Sequence, residues 1–202
     1  TVYVFGLEKY RPVVRPAILT AFLGYLLVVA ALLVDLGRPW AIWKPLIYWQ
    51  PNSVMFEVAW CVALYTLVLA LEFSPAVFER LGLEVPLRVI RRIIIPLVIA
   101  GVILSTLHQS SLGSLFLIVP HKLNVLWYTP ILPILFLVSA IMTGPAMVIF
   151  EGVVSARLFR REPEIELLAG LGRSLPYLLG LYLVLKVTDL VLRGATEAMF
   201  TV

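Results

Sequence analysis

The chain is patterned as long apolar blocks separated by short polar stretches, with no two-residue alternation inside the blocks. Five blocks, at 16–34, 55–71, 93–107, 131–150 and 175–192, approach the ~20 residues a helix needs to cross a bilayer core. The third begins as early as Arg88 and runs on into the apolar residues after His108. Membrane β-strands would alternate over segments of about ten residues; runs such as LLVVAALLV and IIIPLVIAGVIL do not. The expected fold is an all-α polytopic transmembrane helical bundle, a single domain over 1–202 with about five spanning helices. The chain opens on an apolar run, Thr1 to Gly6, that reads as the tail of an earlier helix, so an internal fragment of a larger bundle is expected.

The polar stretches differ in charge. Before the first block stand Lys9, Arg11 and Arg15; between the second and third, Arg80, Arg88, Arg91 and Arg92; between the fourth and fifth, Arg157, Arg160, Arg161 and Arg173. These alternate stretches hold eleven basic residues, against four (Arg38, Lys44, Lys122 and Arg193) in the others. The positive-inside rule places the richer set in the cytoplasm. The two longer outer stretches, LGRPWAIWKPLIYWQPNS and HQSSLGSLFLIVPHKLNVLWYTP, carry Trp40, Trp43, Tyr48, Trp49, Trp127 and Tyr128. Such rings suit a membrane interface, and their crowding on one side also suits a docking face.

Composition agrees with a lipid environment. Of 202 residues 61% are hydrophobic and 14% charged, whereas soluble domains run near ~25% charged, and the mean hydropathy is +1.01. The net charge of +4 lies in short clusters between apolar blocks, which reads as membrane topology and not as a nucleic-acid surface. The single cysteine, Cys61, sits in an apolar block, so there is no disulfide, CxxC zinc site or self-contained iron–sulfur cluster.

A charge near the bilayer centre costs roughly 3 kcal/mol on insertion scales and calls for a partner, water or a use. Asp35, Glu57, His108, Lys186 and Asp189 all approach the outer leaflet in this topology. Glu57 has nothing basic within a helical turn; it is either a buried proton carrier or a carboxylate favoured by the N-terminal helix dipole, with Asn52 or Ser53 as the cap. His108 either donates to a carbonyl and shuttles protons or is an ordinary interfacial histidine. Asp35 can pair with Arg38, and Lys186 with Asp189 at i, i+3. Glu72 and Glu151 are expected to end the second and fourth helices on the cytoplasmic side, where either could open a proton route. The chain has only two histidines, His108 and His121, so a bundle with two bis-histidine haems is excluded from this span. Nucleotide-binding, zinc-protease and serine-hydrolase motifs are absent from the sequence.

The segments LGRPW at 36–40, NSVMFE at 52–57, LEFSP at 71–75, STLHQSSLGSLF at 105–116, LWYTP at 126–130 and AMVIFE at 146–151 resemble the NrfD-like, polysulfide reductase membrane subunit family, most closely its Ni/Fe-hydrogenase branch. STLHQSSLGSLF is the most specific of them. The resemblance implies a haem-free, quinone-reactive anchor in the cytoplasmic (inner) membrane of a prokaryote. It would exchange electrons with an iron–sulfur, ferredoxin-like subunit on the outer face, beside Ni/Fe hydrogenase subunits, and it implies further helices at both ends. Carried over by position, Asp35, Glu57 and His108 become candidates for proton exchange. His108, Gln109, Ser110, Ser111 and Glu57 become candidates for binding the quinone, a menaquinone or ubiquinone, with no metal site. A proton or small-solute transporter and a structural anchor are the competing classes, since intramembrane carboxylates also mark transport sites.

Overall fold

A computed structural model describes residues 8–160, 162 and 165–195; the expected helix tail at Thr1 to Gly6, and Arg161 of the basic stretch, lie outside the described residues. All regular structure among them is helical: α1 (Arg11–Asp35), the short α2 (Lys44–Ile47), α3 (Val54–Leu81), α4 (Glu84–Ile118), α5 (Leu132–Leu158), α6 (Ile165–Gly172) and α7 (Leu175–Leu192). Four segments are long and apolar enough to cross a membrane, namely Pro12–Asp35, Val54–Leu81, Leu132–Leu158 and Ile165–Leu192. The remaining apolar block, 93–107, lies inside α4.

Every expected helix is present, and most run further than their apolar blocks. The second passes Glu72 and the fourth passes Glu151, so neither carboxylate ends its helix as expected. The longest is α4, 35 residues from Glu84 to Ile118; it runs on past His108 as expected and takes in the whole HQSSLGSLF stretch, which the sequence pattern also counts with the outer loop. Hydroxyl groups explain how polar residues stay helical there: Thr106 Oγ1 donates to the Ile103 carbonyl at 2.8 Å and Ser114 Oγ to the Ser110 carbonyl at 3.2 Å, returning their hydrogen bonds to their own backbone.

The chain divides into two compact units, Thr1–His108 and Gln109–Val202. In the first, α1 packs on α3. The pairs Arg15–Glu79, Phe22–Phe73 and Tyr25–Tyr65 fix an antiparallel register. Ser53 Oγ caps α3 by accepting from the Phe56 N–H at 3.4 Å. At its other end Gly82 adopts φ 69°, and the Leu83 N–H reaches the Phe78 carbonyl at 3.0 Å, a Schellman stop that needs the left-handed residue. The segment before α3 is pinned by Trp60 Nε1 donating to the Pro45 carbonyl at 2.9 Å and by a cluster of Trp49, Phe56 and Trp60.

In the second unit α5 packs on α6 and α7. Gly113 explains one constant of the geometry: a Cβ there would stand 2.5 Å from the Pro133 Cα and 2.9 Å from the Leu132 carbonyl oxygen, so only glycine lets the end of α4 lie against the start of α5. Outside these contacts the helices present apolar side chains outward, Val34 being 88% and Leu192 81% exposed. Such a surface is stable where lipid is the solvent.

Candidate functional site

Among the expected site residues His108 stands out. It is 7% exposed, its Nδ1 has no hydrogen-bond partner, and its ring lies 5.9 Å from that of Tyr25. Tyr25 in turn meets Tyr65 edge-on at 4.6 Å. α1 supplies Tyr25, α3 supplies Tyr65 and α4 supplies His108, so three helices of the first unit converge on one polar line. A buried ring nitrogen without a partner is costly, which makes it a group held ready for one. Ser111 follows one turn later on α4 and is 4% exposed; Gln109 and Ser110 are half-buried.

Glu57 occupies the first turn of α3, beside the Ser53 cap, where the helix dipole favours a carboxylate. Its side chain is exposed on the chain and not buried as the proton-carrier reading expected. Asp35 is the last residue of α1 and exposed; among the described residues it forms no ion pair with Arg38. Extending the antiparallel register of α1 and α3 brings Asp35 level with Glu57, so the two carboxylates share one end of the first unit.

At the opposite end of α1 and α3 the structure adds what the sequence reading did not single out. Glu79 bridges Arg15 at 3.1 Å and Arg91 at 2.9 Å. These residues, with Glu72 and apolar groups of α1, α3 and α4, line a cavity of about 700 Å³. No sequence spacing links Arg15 to Glu79; only the helix register does.

The second unit holds a different polar cluster. Asp189, 8% exposed, accepts from Thr129 Oγ1 at 2.6 Å, Arg193 Nε at 3.0 Å and Arg193 Nη2 at 2.6 Å. Arg193 Nη1 donates to the Tyr128 and Val125 carbonyls, and Lys186 Nζ donates to the Leu126 carbonyl at 2.7 Å while lying 5.1 Å over the Trp127 ring. The expected Lys186–Asp189 pair is thus replaced: Asp189 pairs with Arg193, and Lys186 caps the backbone of the LWYTP stretch. That stretch has carbonyls that a helix would have satisfied internally, and Lys186 of α7 and Arg193 just past its end satisfy them with cations.

Long apolar helices with polar groups gathered on their inner faces define the class, a multi-pass α-helical integral membrane protein. The chain belongs to the NrfD family: the family model described as "Polysulphide reductase, NrfD" matches residues 1–200. It is 46% identical over 195 residues to a protein of Nitratidesulfovibrio vulgaris (strain Hildenborough), covering 93% of this chain and 50% of that one. It is 38% identical over 206 residues to the probable Ni/Fe-hydrogenase 2 b-type cytochrome subunit of Escherichia coli K12, covering 98% and 52%. It is 26% identical over 202 residues to the menaquinone reductase integral membrane subunit of the same Nitratidesulfovibrio strain, covering 93% and 47%. The chain spans about half the length of these curated relatives. No solved structure matches it.

Proposed function

We propose that the chain is part of the quinone-reactive membrane subunit of a respiratory oxidoreductase complex. In this reading it exchanges electrons between the quinone pool and an iron–sulfur subunit on the outer face of a prokaryotic inner membrane, with Ni/Fe hydrogenase subunits beside it. The observation that carries the reading is His108, a buried histidine with an unpartnered Nδ1 inside the STLHQSSLGSLF stretch. A quinone presents carbonyl oxygens, and its conversion to a quinol consumes two electrons and two protons, so its site needs a hydrogen-bond donor and a group that exchanges protons. His108 Nδ1 fits the first need. Glu57, level with Asp35 at the outer end of the first unit, fits the second. Relatives named as a menaquinone reductase subunit and a hydrogenase subunit support the same reading.

We assign no haem to this stretch, because its two histidines are a buried residue of α4 and an exposed one in the turn Pro120–Lys122. The topology proposed puts the Arg80–Arg92 and Arg157–Arg173 stretches in the cytoplasm; a reporter fused after Lys122 that proved cytoplasmic would overturn it. The functional test is His108→Ala in the assembled full-length complex, assembly being checked by co-purification of the partner subunits. Quinone-linked turnover is expected to fall with a raised KM, the signature of lost substrate contact. Unchanged KM and kcat would return His108 to a packing role.

A further inference from the structure

The cavity of the first unit lies where α1, α3 and α4 meet, and its wall changes character with depth. At the rim stand Arg15, Glu79 and Arg91; below them Ile18, Phe73, Ala76, Ile94 and Val98 make the lining apolar. Seven residues separate Arg91 from Val98 on α4, and seven separate Glu79 from Glu72 on α3, so the apolar part is about 10 Å deep at 1.5 Å per residue. Glu72 ends it. Its Oε1 lies 3.1 Å from the point a Cβ on Gly101 would occupy, which turns the carboxylate to α4 about one turn beyond Val98.

The rim is over-supplied with positive charge. Arg15 Nη2 donates to both Glu79 oxygens, at 3.2 and 3.1 Å, and Arg91 Nη2 donates to Glu79 Oε1 at 2.9 Å. One carboxylate thus answers two guanidinium groups, and the three side chains together carry one net positive charge. Nε and Nη1 of each arginine take no part in those bonds, so each keeps donors of the planar fork that suits a phosphate. Both side chains also reach outward, Arg15 being 66% and Arg91 63% exposed. Arg80, Arg88 and Arg92 are exposed at the same end of α3 and α4, the end that the positive-inside rule puts at the inner leaflet. Arginines gathered there attract anionic lipid, and basic pockets between transmembrane helices on that side suit its headgroups.

We propose that this cavity binds an anionic phospholipid of the inner leaflet. The phosphodiester sits between Arg15 and Arg91, which Glu79 holds at a fixed spacing. The glycerol and the first methylenes of one acyl chain lie on the apolar wall below, and the rest of the chain continues in the bilayer. The single negative charge of a phosphodiester matches the net charge of the rim, so the filled rim is neutral. A free inorganic phosphate would use the rim alone and leave the apolar wall to water, which is unfavourable; a phospholipid covers both. Because the lipid touches all three helices, it ties α1, α3 and α4 together at their cytoplasmic end. His108 lies seventeen residues from Arg91 along α4, so the site is independent of the quinone reading.

The test uses the full-length complex, stripped of lipid in detergent and offered phosphatidylglycerol and phosphatidylcholine with the same acyl chains, the retained lipid being counted by native mass spectrometry. Wild type is expected to retain phosphatidylglycerol with about tenfold preference, as two arginines at a headgroup allow, and an excess of inorganic phosphate is expected not to displace it. Replacing Arg15, Glu79 and Arg91 together by glutamine removes every rim charge without leaving one unpaired, and is expected to abolish the preference. Glu79→Gln keeps an acceptor for the two Nη2 groups and raises the rim by one positive charge. It is expected to retain phosphatidylglycerol at least as well as wild type, which the loss of a purely structural ion pair would not produce. Ala76→Phe, which fills the apolar wall, is expected to weaken retention with the rim intact. Displacement by inorganic phosphate would make the rim a free-anion site and overturn the lipid site. Equal retention in wild type and the triple variant, the result if another segment of the full-length subunit fills the cavity, or weaker retention in Glu79→Gln, would overturn it as well.

Discussion

The two units treat buried polarity in opposite ways. In the second, Asp189 takes three hydrogen bonds, the Arg193 guanidinium is shared between a carboxylate and two carbonyls, and Thr129 both donates and accepts. In the first, His108 Nδ1 is buried with no partner, and two tyrosines line up beside it. A saturated network away from water has no capacity left for a ligand and serves to fix a chain segment. An unsatisfied group of the same depth is retained at a cost that packing alone does not explain. The comparison assigns architecture to the Asp189 cluster and chemistry to the His108 line.

That contrast breaks most visibly at Asp189. Asp189→Ala leaves Arg193 uncompensated near Thr129 and should cost about 3 kcal/mol, seen as failed assembly or a lowered Tm in detergent; an unchanged Tm would deny the network its structural role. Glu57→Gln should do the reverse. It should assemble with normal Tm yet slow quinone-linked turnover by about 10² if the carboxylate exchanges protons, whereas wild-type turnover would leave Glu57 as a dipole-favoured residue behind the Ser53 cap. Gly113→Ala forces backbone apart at Pro133 and should cost about 1–3 kcal/mol, measurable as a lower midpoint of thermal unfolding. Thr129→Val, nearly isosteric, strips one hydrogen bond from Asp189 and one from the Ile131 N–H and should cost about 1–2 kcal/mol by the same measurement, without altering analogue affinity.

Much of the fold was legible because an apolar block of bilayer length has few alternatives. The block at 175–192 and α7 coincide. Boundaries were less legible where helices continue through charged ends: Glu72 and Glu151 sit in α3 and α5 although each looked like a terminus. HQSSLGS counts with an outer loop on sequence because serine and glutamine look solvated, yet in the helix Ser114 Oγ bonds back to the Ser110 carbonyl, and Gly113 reports a close backbone approach that no local pattern announces. His108 was visible as a lone histidine at membrane depth. Tyr25, Tyr65 and the cavity arginines were not, since a tyrosine in an apolar run reads as packing and the pairing of α1 with α3 is a tertiary fact. Lys186 and Asp189 share a helical face, but so do Asp189 and Arg193; the unsatisfied carbonyls of the LWYTP stretch decided between them.

The central claim is that His108 meets a quinone, and direct binding tests it without relying on turnover. A soluble short-chain menaquinone analogue titrated onto the full-length complex should bind wild type with a Kd at least about tenfold tighter than it binds His108→Ala, a difference of about 1.4 kcal/mol, while Thr129→Val binds like wild type. Equal affinity for wild type and His108→Ala, in complexes of equal Tm, would contradict the account.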